Sequence, residues 1–258
     1  MLVKNIKFKN NKVEVILDNG SFVISKENYI ENPLAIDSSI DDKRVEELLK
    51  KEKTIEAKIS LVKLLNRKVL TEAEVYTYLK DKELEYKDIK EIINNLKNIG
   101  LINDEYACDI LISMLLGKRK GRLEIYKVLK AKRISLNIIN KSMENIDEEM
   151  YVDNFNKVYE KYLKMYSNKS NKVRENMIKI KLKEYGYEDS YINNLEIENN
   201  GDDLLLARKY LQKLMKNKNI DMSDHQNVNK IRTKLVMKGF NYDIINLVLK
   251  EVNENETY

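Results

Sequence analysis

Side chains able to do acid–base, nucleophilic or metal chemistry are sparse in this chain. One histidine, His225, stands among 258 residues, so any nucleophile paired with an imidazole base would have to use it. It sits in the string Ser223-Asp224-His225-Gln226-Asn227, which reads as a solvated loop between two helices. The single cysteine, Cys108, excludes an internal disulfide and a cysteine-rich zinc site. On an apolar helical stretch it reads as a small buried hydrophobe. Seven glycines, with no close cluster beyond Gly117 and Gly121, cannot assemble a Gly-rich phosphate loop. The acidic pairs Asp41-Asp42, Glu148-Glu149 and Asp202-Asp203 each fall at an expected helix start, where the dipole favours carboxylates. Tyr151, Tyr159, Tyr162 and Tyr166 lie near helical spacing and read as core or rim, not as a stacking platform. No enzyme chemistry, cofactor or metal is expected.

Charge singles out one segment. Residues 118–133 hold Lys118, Arg119, Lys120, Arg122, Lys127, Lys130, Lys132 and Arg133 against Glu124 alone, a balance of +7 in a chain of net charge +5. Residues 1–44 carry seven basic and seven acidic side chains, so the remainder is slightly acidic. Gly117 and Gly121 are expected to keep the turn between them open and to admit backbone amides to an anion. A charge run is usually only a solvated face. Its density, on a loop and the adjoining helix, points instead to convergence on phosphates or on an acidic protein groove. Neutralising about five phosphates would give a log–log salt slope of about −4 to −5.

The elements that position this stretch are written in a repeat. Leu79, Leu129, Leu182 and Leu235 serve as anchors, 50, 53 and 53 residues apart. Four residues earlier stand Val75, Ile125, Ile178 and Ile231; five later, Leu84, Ile134, Tyr187 and Phe240; ten later, Ile89, Ile139, Ile192 and Ile245. Tandem units of this kind stack to bury a shared face. The chain is expected to be mainly α, with tandem three-helix repeats forming an elongated array over residues 41–103, 104–147, 148–200 and 201–258. In the first unit the helices are expected over 53–67, 71–81 and 86–98, behind a leading helix from Asp41. Thr71 with Glu74 forms a capping box and Gly100 a C-cap, while Asn199-Asn200-Gly201 marks the last junction. Four residues after the anchor, Gly186 and Gly239 supply the left-handed residue that stops the middle helix. Glu83 and Arg133 stand there in the first two copies, which must accept strain or turn differently.

Residues 1–40 read as a small antiparallel β meander followed by a short helix. Val13, Val15 and Leu17 alternate with Glu14, Ile16 and Asp18; Asn19-Gly20 suggests a type I′ turn, and Phe22 and Ile24 alternate onward. Leu2–Lys9, closed by Asn10-Asn11, adds a third strand. Ser25 is the N-cap of a helix reaching towards Pro33, and 34–39 is a linker. No window reaches the roughly 18 apolar residues of a membrane span, and Lys4, Lys7, Lys9 and Lys12 interrupt any signal-peptide core. A soluble, cytoplasmic chain is expected.

The string Gly100-Leu101-Ile102-Asn103-Asp104-Glu105-Tyr106-Ala107, then Lys118-Arg119-Lys120-Gly121, then the run from Ile125 to Ile134, resembles the RecX regulatory proteins. The Lys238-Gly239-Phe240 ending of the fourth unit is similar, and the likeness covers about 55–253. Arg133 stands where that family usually has glycine, and Asn103 where an acid is common. The resemblance implies tandem three-helix repeats, no enzymatic activity, and binding to the RecA filament on single-stranded DNA. Such binding would modulate filament assembly and activity in recombination, DNA repair and the SOS response, with the protein acting as a monomer. On matching positions it implies Lys118, Arg119, Lys120 and Arg122 as contacts, backed by Lys130, Lys132 and Arg133. The alternatives are a direct DNA-binding protein of helix-turn-helix character and an adaptor that recruits a protein through its apolar repeat face.

Overall fold

The computed structural model describes residues 1–195, 203–216 and 224–255, with side chains to residue 252. Asn199-Asn200-Gly201, Asp202 and Ser223 lie outside the described residues. The chain forms two compact units, Met1–Ile110 with Lys130–Ile139, and Leu111–Leu129 with Asn140–Tyr258.

At the start of the first unit, β1 (Val3–Lys9), β2 (Lys12–Leu17) and β3 (Ser21–Ser25) form an antiparallel sheet in that order. Val13, Val15, Leu17, Phe22 and Ile24 point to one buried face, as strict alternation requires. The Asn10-Asn11 turn follows the pairing of Lys9 with Lys12, with Asn10 at φ +52°. The type I′ turn at Asn19-Gly20 does not form, since neither residue has a positive φ. Instead Asp18 is held by Leu2, just before β1: its amide donates to the Leu2 carbonyl at 3.1 Å and its Oδ1 accepts from the Leu2 amide at 3.0 Å. Residues 34–39 are no free linker either, because the Val3 amide donates to the Ser38 carbonyl and Asp37 donates back to Val3.

Helix α1 (Lys26–Glu31) is capped by Ser25, and α2 (Asp42–Leu65) by Asp41. The two helices expected between Asp41 and Arg67 are one: no Gly or Pro interrupts α2. Its N-terminal half gives Leu48 to the sheet core, while Ala57 and Leu61 enter the core of the first repeat. Glu52, on α2, pins the sheet. Its carboxylate accepts from the Ser25 amide and hydroxyl at 2.7 Å each, from Asn28 Nδ2 at 3.3 Å and from Lys12 Nζ at 2.7 Å. Buried carboxylates persist when paired and hydrogen-bonded in this way.

The remaining described helices are α3 (Glu72–Asp81), α4 (Tyr86–Asn98), α5 (Asp104–Gly117), α6 (Arg122–Ala131), α7 (Leu136–Glu144), α8 (Glu148–Met165), α9 (Asn171–Tyr185), α10 (Asp189–Asn193), α11 (Asp203–Lys216), α12 (His225–Met237) and α13 (Tyr242–Asn255). The anchors fall one each on α3, α6, α9 and α12. They and the residues four before and ten after are at most 2% exposed in all four copies. Thr71 and Glu74 make the capping box of α3, and Gly100, at φ +73°, ends α4. Cys108 is buried. Tyr151, Tyr162 and Tyr166 are buried, and Tyr159 is intermediate. His225 is not in a loop: it is the first residue of α12, exposed behind its N-cap Asp224.

All four middle helices end in the same left-handed residue, at φ +56° for Glu83, +58° for Arg133, +88° for Gly186 and +84° for Gly239. The first two copies therefore accept the strain, which for a residue with a Cβ is of order 1 kcal/mol.

Candidate interaction surface around the basic turn

The segment from Gly117 to Arg122 links α5 to α6. Gly117 closes α5 with open space around its Cα, and Lys118 and Arg119 form an exposed turn in which Arg119 takes φ +56°. Every amide along the turn is engaged by protein. Lys118, Arg119 and Lys120 donate back to carbonyls of Met114, Leu115 and Leu116. The Gly121 amide donates to the Tyr185 carbonyl at 2.8 Å, Arg122 to Tyr151 Oη at 3.2 Å, and Leu123 to the Gly186 carbonyl at 3.0 Å. No amide is left to cradle an anion, contrary to the expectation for the two glycines. Gly121 serves packing: a Cβ there would lie 2.2 Å from the Gly186 carbonyl oxygen.

Arg122 is likewise drawn inward. Its guanidinium lies 4.3 Å from the centroid of the Tyr151 ring, pairs with Glu148 and stands 3.9 Å from Glu188. Tyr151 donates its hydroxyl hydrogen bond to Glu188, and Tyr191 donates to Glu148. Burial, then the Glu188 carboxylate, pushes the Tyr151 phenol well above its ordinary value, so it remains a neutral donor. Arg122 and Tyr191 together hold Glu148 below the usual carboxylate range. Tyr187 completes the cluster, donating to the Arg119 carbonyl at 3.0 Å and meeting Phe155 edge-on at 5.1 Å. In sequence, Glu148 reads only as a first-turn charge, and nothing near Tyr151 or Glu188 announces a partner for Arg122. The signal that could have found them is the pairing of one repeat's middle-helix start with the next repeat's middle-helix end.

Within the first unit, Lys132 pairs with Glu74, and its carbonyl accepts from Thr71 Oγ1 at 3.1 Å. Lys130 and Arg133 are exposed. Lys118, Arg119, Lys130 and Arg133 thus present cations to solvent, and Lys120 lies half-exposed with Nζ 4.9 Å from the Tyr185 ring centroid. Lys127 stands 3.7 Å from Glu124 with its side chain largely exposed. Among the described residues no group of His, Cys, Asp and Glu is placed to hold a metal ion. No described helix is long and apolar enough to cross a membrane.

Buried positions that recur on α3, α6, α9 and α12, and on the helices that follow them, define a mainly helical protein built on a repeated pattern. Solved structures share this fold. A crystal structure of a regulatory protein RecX aligns with TM-score 0.58 at 20% identity, over 75% of this chain and 97% of that one. RecX from Lactobacillus salivarius aligns with TM-score 0.51 at 24% identity, over 55% and 94%. In sequence, the regulatory protein RecX of Lactococcus lactis is 27% identical over 244 residues, 91% of this chain and 90% of its own length. That of Clostridium perfringens is 31% identical over 152 residues, 58% of this chain and 71% of its own. No protein-family model matches. The chain belongs to the RecX family of regulatory proteins.

Proposed function

We propose that this protein binds the RecA filament on single-stranded DNA and modulates its assembly and activities, without catalysing a reaction, as a cytoplasmic monomer. The observation that carries the reading is family membership over nine-tenths of the chain. The arrangement of cations supports it. Lys118 and Arg119 are exposed on the basic turn, where the adjoining Lys120 is free of any carboxylate among the described residues, and Lys130 and Arg133 are exposed within the first compact unit. Several modest repeat contacts to successive protomers add through effective concentration. Arg122 and Lys132 act here by holding the repeats that carry the exposed cations, with 41–103, 104–147, 148–200 and 201–258 as the stacked units.

RecA ATP hydrolysis on single-stranded DNA, titrated with the wild-type protein and a Lys118→Glu/Arg119→Glu/Lys120→Glu variant, tests this. Wild type lowers hydrolysis at or below one protein per RecA, and the variant requires at least tenfold more. No effect of wild type at any ratio would sink the reading. Because Arg122 is left intact, loss in the triple variant reports on surface charge and not on the fold.

A further inference from the structure

Lys161 on α8 and Lys120 on the basic turn both approach Tyr185, the last residue of α9. Lys161 Nζ stands 3.5 Å from Tyr185 Oη and 5.0 Å from the centroid of the Tyr162 ring. Lys120 Nζ approaches the same Tyr185 ring from the basic turn, 4.9 Å from its centroid. Neither lysine has a carboxylate within ion-pair distance among the described residues, while the acids flanking Tyr185 are engaged: Glu184 pairs with Lys181 at 2.6 Å and Asp189 with Lys183 at 2.8 Å. Beneath them Tyr162 stacks on Tyr166 with centroids 5.8 Å apart, and both rings are buried. Tyr185 therefore rests on a packed aromatic floor. The Tyr162 hydroxyl, and after it the two lysines, hold its phenol below the ordinary value.

Two ammonium groups on one tyrosine, Lys120 over its ring and Lys161 at its hydroxyl, offer donors suited to an oxyanion with several acceptors. We infer that Lys120, Lys161 and Tyr185 bind a backbone phosphate of single-stranded nucleic acid. Lysine donates to a phosphate as a point charge, and the protonated phenol supplies a third hydrogen bond. The site offers no backbone amide and is open, so a lone phosphate gains little from it. A strand gains because neighbouring phosphates reach Lys118 and Arg119 on the adjoining turn. Sharing Lys120 with the surface proposed for the filament, the site rests partly on that reading, yet it needs no RecA to be tested.

Anisotropy of a labelled oligothymidylate with the full chain alone is the experiment. Lys161→Ala weakens binding five- to tenfold and lessens the log–log salt slope by about 0.7, the value for one phosphate contact on a single strand. Tyr185→Phe, which keeps the ring on its floor, weakens it two- to threefold at unchanged slope, and the exposed control Lys87→Ala changes nothing. Binding by Lys161→Ala within twofold of wild type at unchanged slope overturns the site, as does absence of wild-type binding at low salt. Ultraviolet titration of tyrosine, wild type minus Tyr185→Phe, adds a readout independent of affinity. The oligonucleotide raises the Tyr185 ionisation pH, and inorganic phosphate at the same phosphate concentration leaves it in place. An equal rise with inorganic phosphate overturns the assignment to a strand. A wild-type effect on RecA that survives Lys161→Ala with no oligonucleotide binding refutes this site alone. Oligonucleotide binding without any effect on RecA refutes the filament reading alone.

Discussion

Two repeat junctions use the same handshake and different chemistry. At Thr71, the start of one middle helix meets the end of the next through the Lys132 carbonyl, beside a left-handed Arg133. At Gly121 the equivalent contact runs amide to carbonyl, onto Tyr185, beside a left-handed Gly186. Replacing the hydroxyl reach of threonine by a direct backbone bond brings the chains closer, so both partners must be glycine. A Cβ on Gly186 would meet Glu124 Cβ and N at 2.5 Å. A third junction, Ser170 Oγ to the Lys238 carbonyl at 2.8 Å, uses the hydroxyl again. There Asp203 accepts from the first helical amide, Asn171, just as Asp104 accepts from Glu72 at the first junction. The middle junction alone, among these three, gives that role to the Tyr151 hydroxyl and adds the Arg122 cluster. Tight backbone approach excludes side-chain caps, and an arginine stacked on tyrosine takes their place.

The largest effect that would break this comparison is a methyl group at the tight junction. Gly121→Ala or Gly186→Ala is expected to cost about 3 kcal/mol or more, since backbone, not a flexible side chain, stands in the way. Urea denaturation measures it, and a loss below about 1 kcal/mol would show that the junction is slack. Next is Arg122→Ala, which strands Glu148 and Glu188 and removes the cation over Tyr151. About 2 kcal/mol is expected, reduced from the cost of a deeply buried pair because Glu148 is over half exposed. Lysine at 122 should recover less than half of it, lacking the planar stack. A smaller effect of opposite sign belongs to the looser junction. Arg133→Gly relieves a left-handed arginine and should stabilise by about 0.5–1 kcal/mol, net of the entropy glycine adds to the unfolded chain. A rise in thermal midpoint checks it.

The legible parts of this molecule were those written locally or periodically. Anchor leucines, the Thr71 capping box, Gly100 and the alternation of β2 are each visible within a few residues, and each stands where spacing put it. Long-range bonds set the remainder. Asn19-Gly20 has the composition of a type I′ turn, but the hairpin closes from the Leu17 amide to the Gly20 carbonyl at 2.7 Å, and Leu2 holds Asp18 within it. Gly121 has the composition of an anion loop, but its amide belongs to Tyr185, 64 residues on. Of the seven cations read as contacts, Arg122 and Lys132 are tied to acids on other helices. A charge run shows how much charge a segment has; tertiary partners decide which of it faces solvent.

The smallest test separates charge from geometry at the looser junction. Glu74 accepts from the Thr71 amide at 3.1 Å as the capping box requires, and also pairs with Lys132. Burial raises its pKa, but the Lys132 hydrogen bond and then the Thr71 amide more than offset it, so the carboxyl lies below the ordinary glutamate value of 4.5. A depressed folded value means that its stabilisation is present in full above about pH 4.5 and is lost as pH falls through the lower folded value. Glutamine keeps the shape and the capping acceptor and forfeits only the charge. Glu74→Gln should therefore cost about 0.5 kcal/mol at pH 7, the scale of a partly exposed ion pair, and the gap to wild type should close progressively below pH 4.5. A gap that stays constant down to pH 3 would mean that the capping geometry, not the Lys132 charge, holds this junction. It would then differ from the Arg122 junction in kind and not merely in tightness.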